Sequence, residues 1–263
     1  MGLILNLDIC LNIQLNWTSF FECGAFIAQG ENIWLMQGPF TASPNPTHLP
    51  ALHAPDFFYQ SCNNWYYPSK FFKFSRKELL KSFSNFQLKH KPPSIFQVES
   101  FQDINKLSFA ESWQKVQAGF ESNIFEKCVP IVQSHGVGSF GTLDARQILF
   151  ANSLHGPSNS IAYGLWMKSE GIVGVSPELL LSTQGLHINT AAIAGTGNRL
   201  GHKLLQDTKE LLEHNFVVQL LTEKLARFGK VEVEPTKELP FGMLTHLKTS
   251  VRAYSEFAQD IPK

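Results

Sequence analysis

Between Ile161 and Ala194 the sequence sets down four strand-like runs: Ile161–Met167, Gly171–Val175, Leu179–Ser182 and Leu186–Ala194. Only short turns separate them. The helical patterns around this run, Thr142–Phe150 before it and about Leu204 to Phe228 after it, are grouped rather than alternating with the strands. Consecutive strands with short connections, and helices set apart from them, predict an α+β fold built on largely antiparallel sheets. A last strand is expected over Leu244–Tyr254, where His246, Lys248, Ser250 and Arg252 alternate with Leu247, Thr249, Val251 and Ala253.

The first ninety residues are rich in Phe, Trp and Asn, with strand-like runs at Ala25–Ile27 and Ile33–Met36. The N-terminus alternates Leu3, Leu5, Leu7, Ile9, Leu11, Ile13 and Leu15 against Asn6, Asp8, Asn12, Gln14 and Asn16. Period two, with no positive leading segment, predicts a half-buried strand and not a signal peptide. Lys89–Ser94, basic and proline-bearing, reads as a connector. Ser108 and Glu111 then stand in capping-box spacing ahead of a helix with Trp113, Val116 and Phe120 on one face. Lys127–Gln133 reads as a strand that Pro130 confines to an edge or bulge position.

The 263 residues are 43% hydrophobic, enough for a real core, and carry 22 Lys+Arg against 22 Asp+Glu. A balanced charge without a basic stripe argues against a nucleic-acid partner. No apolar run is long enough to span a bilayer, which argues against a membrane role. Cys10, Cys23, Cys62 and Cys128 are scattered without metal-type spacing, so free thiols in a reducing cytoplasm are expected.

Four stretches could carry chemistry, and each also has an ordinary explanation. Glu178, after Ser176 and Pro177, interrupts an apolar run. Crowding by Leu and Val would raise its pKa and let it donate a proton at neutral pH, although a turn-exposed Glu fits equally. Thr190–Arg199, TAAIAGTGNR, places the small residues Ala194, Gly195 and Thr196 after a strand, where a ligand can approach the backbone; a tight strand-end turn would look the same. The stretch matches neither G-x-G-x-x-G nor a P-loop, so no nucleotide is indicated. Lys127, in line with Val129 and Ile131, could be a base if its strand face is buried, or a surface lysine at a strand start. Glu213 shares a helical stripe with Val217 and Leu220. It is a candidate hard-oxygen ligand for Mg²⁺, while a pair with Lys209 at i,i+4 is an adequate structural reading.

Taken in order along the chain, these stretches resemble the chorismate-binding enzymes. The series is Lys127, Ser176–Glu178, T-A-A-I-A-G-T at Thr190–Thr196 with Arg199, K-E-x-x-E-H at Lys209–His214, and His246–Leu247. The likeness covers roughly Trp113 to Tyr254. It implies the α+β sandwich of the anthranilate synthase component I type, with residues 1–100 as a variable N-terminal portion and 101–263 as the chorismate-binding core.

Within that family the isochorismate synthase branch fits best. Its members have a water-activating lysine at the Lys127 position. The aminodeoxychorismate branch tends to carry a lysine where this chain has Ala194, and the amine-using branches usually follow E-H with an Arg-Asn-Asp signature where this chain reads Asn-Phe-Val. The resemblance implies Lys127 and Glu178 as base and acid. It implies Thr190, Ala194, Gly195, Thr196, Arg199 and His246 around chorismate, and Glu213 on Mg²⁺. Family members continue into a Gly-rich segment with a second carboxylate for Mg²⁺. The resemblance therefore places the family's C-terminal third beyond Lys263, and a partner chain could supply it. Salicylate synthase, the large subunits of anthranilate and aminodeoxychorismate synthases, and a non-catalytic binding or assembly protein are the alternatives.

Overall fold

The computed structural model describes residues 2–4, 14–48, 50–56, 60–90, 98–105, 107–138, 141–157, 159–198 and 203–256. The chain divides into two compact units, one made of Met1–Pro92 with Arg146–Lys263 and the other of Pro93–Ala145. The first unit opens with β1 (Gly2–Ile4), α1 (Trp17–Glu22), β2 (Gly24–Gln29), β3 (Asn32–Ser43), β4 (Ala51–His53), β5 (Trp65–Ser75) and α2 (Arg76–His90). The second unit holds β6 (Val98–Asp103), α3 (Phe109–Glu121) and β7 (Ser134–Gly138), and α4 (Thr142–Leu154) leads back into the first. Next come β8 (Ile161–Met167), β9 (Glu170–Ser176), β10 (Ser182–Gln184) and β11 (His187–Asn198). After α5 (Thr208–Ala226) the chain ends with β12 (Val231–Val233), β13 (Lys237–Phe241) and β14 (Leu244–Tyr254).

All strand pairings among the described residues are antiparallel, as the short connections predict. A seven-stranded sheet runs β1-β4-β5-β3-β2-β8-β9, so it draws strands from both sides of residue 100. Its core is aromatic. In α1, Trp17, Phe20 and Phe21 fall at i, i+3 and i+4, which puts all three on one buried face. Phe20 meets Trp166 edge-to-face at 5.1 Å, and Phe26 meets Phe150 at 4.9 Å, the geometry that ring quadrupoles favour. The Trp166 indole N–H donates to the Phe20 carbonyl, so its one polar atom is satisfied. Buried Arg146 donates to the carbonyls of Phe21, Glu22, Lys168 and Glu170, which ties α4 to the end of α1 and to the β8–β9 turn.

The second sheet of this unit runs β10-β11-β14-β12, with β13 also pairing β14. Its last strand is Leu244–Tyr254, with the alternation read from the sequence. Thr245, Leu247, Thr249, Val251 and Ala253 are buried, and the residues between them are half-buried or exposed. Helix α5 covers the inner face, where Leu225 packs with Ile188, Val251 and Ala253. The helix expected over Leu204–Phe228 is interrupted. A 3-10 turn covers Leu204–Gln206, and Asp207 then caps α5, its side chain accepting the Glu210 N–H.

Several boundaries differ from those expected. Of the alternating N-terminal run, Gly2–Ile4 is a strand and residues 5–13 lie outside the described residues, as do 91–94 of the expected connector. Residues 178–181 form no strand; β10 begins only at Ser182. The strand expected at Lys127–Gln133 is also absent. Val129, Ile131 and Val132 are 67%, 72% and 57% exposed, so the run has no buried face to hold a register, and Pro130 has no N–H to donate. Pairing starts where Asn105 brackets Gln133, accepting its N–H and donating to its carbonyl, and continues in the β6–β7 ladder. The helix after Ser108 forms with its capping box complete. No described helix is long and apolar enough to cross a membrane.

Candidate functional site

Strand β11 begins as a regular alternation. Ile188, Thr190 and Ala192 are buried, and the residues between them face outward. Opposite β14, Ala194 pairs with Leu247 and Thr196 with His246, so Gly195 is an extra residue in the ladder. It adopts φ +76, the left-handed conformation that glycine takes without penalty. The extra residue reverses the alternation, and beyond it Gly195 and Gly197 are the buried positions. Thr196, whose even number would otherwise place it inward, is turned to the outer face. There its hydroxyl lies 3.0 Å from His246 Nδ1. A tight strand-end turn does not describe this stretch, because the ladder continues to Asn198.

Helix α5 holds the bulge from the other side. Glu210 is buried, and its Oε2 accepts the Thr196 N–H at 2.8 Å while its Oε1 lies 2.6 Å from the Lys209 ammonium. One turn on, His214 is fully buried, with Nδ1 3.1 Å from the Ala194 carbonyl and Nε2 2.7 Å from the Thr249 hydroxyl. Thr249 in turn lies 2.8 Å from the Thr236 hydroxyl. Thr249 and Thr236 were not read as functional from the sequence. The signal was there in part, because Thr249 is a hydroxyl in the inward register of β14 and a buried hydroxyl needs a partner.

The Glu210 carboxyl is held below the ordinary carboxylate range, chiefly by the hydrogen bond from Lys209, with the Thr196 amide adding to it against the opposing effect of burial. A carboxyl whose pKa is lowered by folding contributes its full stabilisation above its unfolded pKa and loses it as pH falls through the folded one. Protection of the Thr196 amide should therefore be flat near neutrality and fall only below the ordinary carboxylate range. Amide exchange of Thr196 followed by NMR against pH checks this. Loss of protection already at neutral pH would contradict it.

The remaining residues singled out in the sequence are placed as follows. Thr190 is buried, with its hydroxyl 2.7 Å from the Leu180 carbonyl, which ties the segment after β9 to β11. Glu178 lies in that segment and is exposed, so within this unit it lacks the apolar crowding expected of it. Its Oε2 accepts from the Ser176 hydroxyl at 2.9 Å, and its N–H donates to the same oxygen at 3.1 Å. Glu213 is half-buried on α5; the Lys209 ammonium is favoured chiefly by its hydrogen bond to Glu210, with Glu213 adding a smaller effect. Lys127 belongs to the second unit and is half-buried in an irregular stretch, so it is not on the face of a strand. Arg199 lies outside the described residues. No group of three or more His, Cys, Asp or Glu that could hold a metal occurs among the described residues. Cys23, Cys62 and Cys128 are free thiols, and burial raises the pKa of Cys23.

Residues 59–261 match the family model described as "Chorismate binding enzyme". The chain belongs to the chorismate-binding enzyme family. Among curated members it is similar to anthranilate synthase component 1 1 of Haloarcula marismortui, with 29% identity over 182 residues, 61% of this chain and 35% of that one. Anthranilate synthase component 1 of Methanothermobacter thermautotrophicus is 39% identical over 83 residues, 27% of this chain and 18% of that one. The chain thus spans about a third or less of these relatives' length.

Solved structures of the family share the fold. The menaquinone-specific isochorismate synthase of Escherichia coli superposes with a TM-score of 0.63 at 15% identity, covering 97% of this chain and 71% of that one. A Bacillus anthracis protein assigned as a 2,3-dihydroxybenzoate-specific isochorismate synthase gives 0.66 at 17% identity, covering 90% and 69%. The mixed fold of antiparallel sheets with few helices is therefore that of the chorismate-binding enzymes.

Proposed function

We propose that the chain converts chorismate to isochorismate by adding water to the ring and releasing the ring hydroxyl. The observation that carries this reading is the β11 bulge, which turns Thr196 onto the same face as His246 in a chain of this family. Ala194, Gly195, Thr196, Arg199 and His246 are assigned to the substrate, whereas Thr190, also implied by the resemblance, is buried on the opposite face of β11 with its hydroxyl on the Leu180 carbonyl. Lys127 is assigned as the base that takes a proton from the attacking water, and Glu178 as the acid that protonates the departing hydroxyl.

Glu213, half-buried on α5, is assigned to Mg²⁺ on the strength of the family resemblance. Mg²⁺ typically takes one or two carboxylates and completes its shell with water and anionic substrate groups, so a cage made wholly of protein is not required. Bound there, it would neutralise a substrate carboxylate. The setting is a reducing cytoplasm, in keeping with the free thiols.

A second reading follows from the curated relatives, which are anthranilate synthase components. In it the nucleophile would be ammonia. The Asn215-Phe216-Val217 that follow His214 speak for water instead, while Ala194 speaks only against the aminodeoxychorismate branch. Incubation of the purified chain with chorismate and Mg²⁺, followed by liquid chromatography and mass spectrometry, separates the two. Isochorismate that disappears with EDTA is the expected product. Anthranilate formed with added ammonium would establish the second reading, and salicylate with pyruvate the neighbouring lyase-type reaction. A folded chain that leaves chorismate untouched would overturn the enzymatic reading in favour of a binding or assembly role.

A further inference from the structure

Glu210 and His214 stand four residues apart on α5, about 6 Å along its axis, and so share one face. Their bonds fall on either side of Gly195: His214 to the Ala194 carbonyl, Glu210 to the Thr196 amide. A Cβ on Gly195 would stand 3.0 Å from the Glu210 carbonyl, so helix and bulge already approach as closely as a glycine allows. A bulge leaves the flanking ladder groups without their regular cross-strand partners. The helix supplies partners to both, one accepting and one donating.

The donor roles follow from the atoms. A carbonyl can only accept, so His214 Nδ1 carries the proton toward Ala194. With the ring neutral, Nε2 accepts from the Thr249 hydroxyl, and the Thr249 oxygen is left to accept from Thr236. The Ala194 carbonyl thus fixes the tautomer, the ring sets the rotor of Thr249, and Thr249 sets that of Thr236.

We propose that His214 and Glu210 are positioning residues that lock the β11 bulge from the helix side, so that Thr196 Oγ1 and His246 are held in aim at the substrate. The inference rests on the substrate assignment made above. Neither side chain is required to touch chorismate. Their effect passes through two backbone groups, and Thr249 and Thr236 belong to the same device.

The histidine can be tested one nitrogen at a time. His214→Asn retains a donor near the Nδ1 position and should keep the bond to Ala194, while His214→Gln retains polarity near the Nε2 position and should lose it. Glu210→Gln keeps an acceptor for the Thr196 amide, and Glu210→Ala does not. In the substrate-free chain, NMR exchange of the Gly195 and Thr196 amides should stay near wild type in His214→Asn and Glu210→Gln. It should accelerate about tenfold or more in His214→Gln and Glu210→Ala, the equivalent of about 1.4 kcal/mol. With chorismate, kcat should follow the same order while KM changes less.

Equal behaviour of Asn and Gln at 214 would overturn the lock and leave the ring as a space-filler. If wild type does not turn over chorismate, the exchange data still decide the lock, so its failure is distinguishable from that of the functional reading. Normal exchange rates with reduced kcat in His214→Gln would also refute the proposal, because the effect would not have passed through the bulge.

Discussion

Gly195→Ala is expected to destabilise the chain and to disarm the bulge together. At φ +76 any residue with a Cβ pays for a left-handed backbone, about 1–2 kcal/mol. The new methyl would also meet the Glu210 carbonyl at 3.0 Å and Leu247 Cδ1 at 3.2 Å. Relief requires α5 or β14 to move, and overpacking of this kind costs typically about 1–3 kcal/mol more. The midpoint of urea unfolding should fall with the slope unchanged, and the Thr196 amide should lose its protection because the Glu210 acceptor is displaced. Unchanged stability and unchanged exchange would mean that Gly195 is an ordinary ladder residue.

Lys127→Ala should do the reverse, removing turnover while leaving the fold in place. Residue 127 lies in an irregular stretch without strand pairing, so no strand ladder depends on it. Removing a general base costs on the order of 10²- to 10⁴-fold in rate. Lys127→Arg should fail almost as badly, since a guanidinium holds its proton at any working pH and cannot accept one from water. Initial rates of isochorismate formation, beside thermal unfolding of the same variants, check both. Turnover that survives Lys127→Ala would place the base elsewhere and would remove the chief argument for water over ammonia as nucleophile.

The two sheets of the first unit were legible in different measure. Strand β14 could be read almost residue for residue, because its polar and apolar positions alternate strictly and one face is buried along its length. Strand β8 was equally clear. The helix after Ser108 was marked by its capping box, a local signal that needs only residues three apart. Lys127–Gln133 misled for the complementary reason. Val129, Ile131 and Val132 look like strand residues, but β propensity describes fit to a half-buried pleated surface, and this stretch has none. The true strand, Ser134–Gly138, has almost no apolar pattern and exists because Val98–Asp103 pairs with it.

At the site, sequence order alone brought Glu178, the Thr190–Thr196 run, Lys209–His214 and His246 into one family pattern, and the match over residues 59–261 agrees. It also marked Gly195 as a place of close backbone approach. The alternation along each strand, the caps and the motif order are local properties, encoded by neighbours a few residues apart, and these the sequence determined by itself. Which way Thr196 faces was decided by the tertiary structure, since one extra residue against Leu247 and His246 reverses the strand's parity. The same holds for the bond of His214 to Thr249, 35 positions away, and for the exposure of Glu178. Each depends on which distant segment supplies a hydrogen-bond partner or excludes water, and no periodicity within a single segment carries that information.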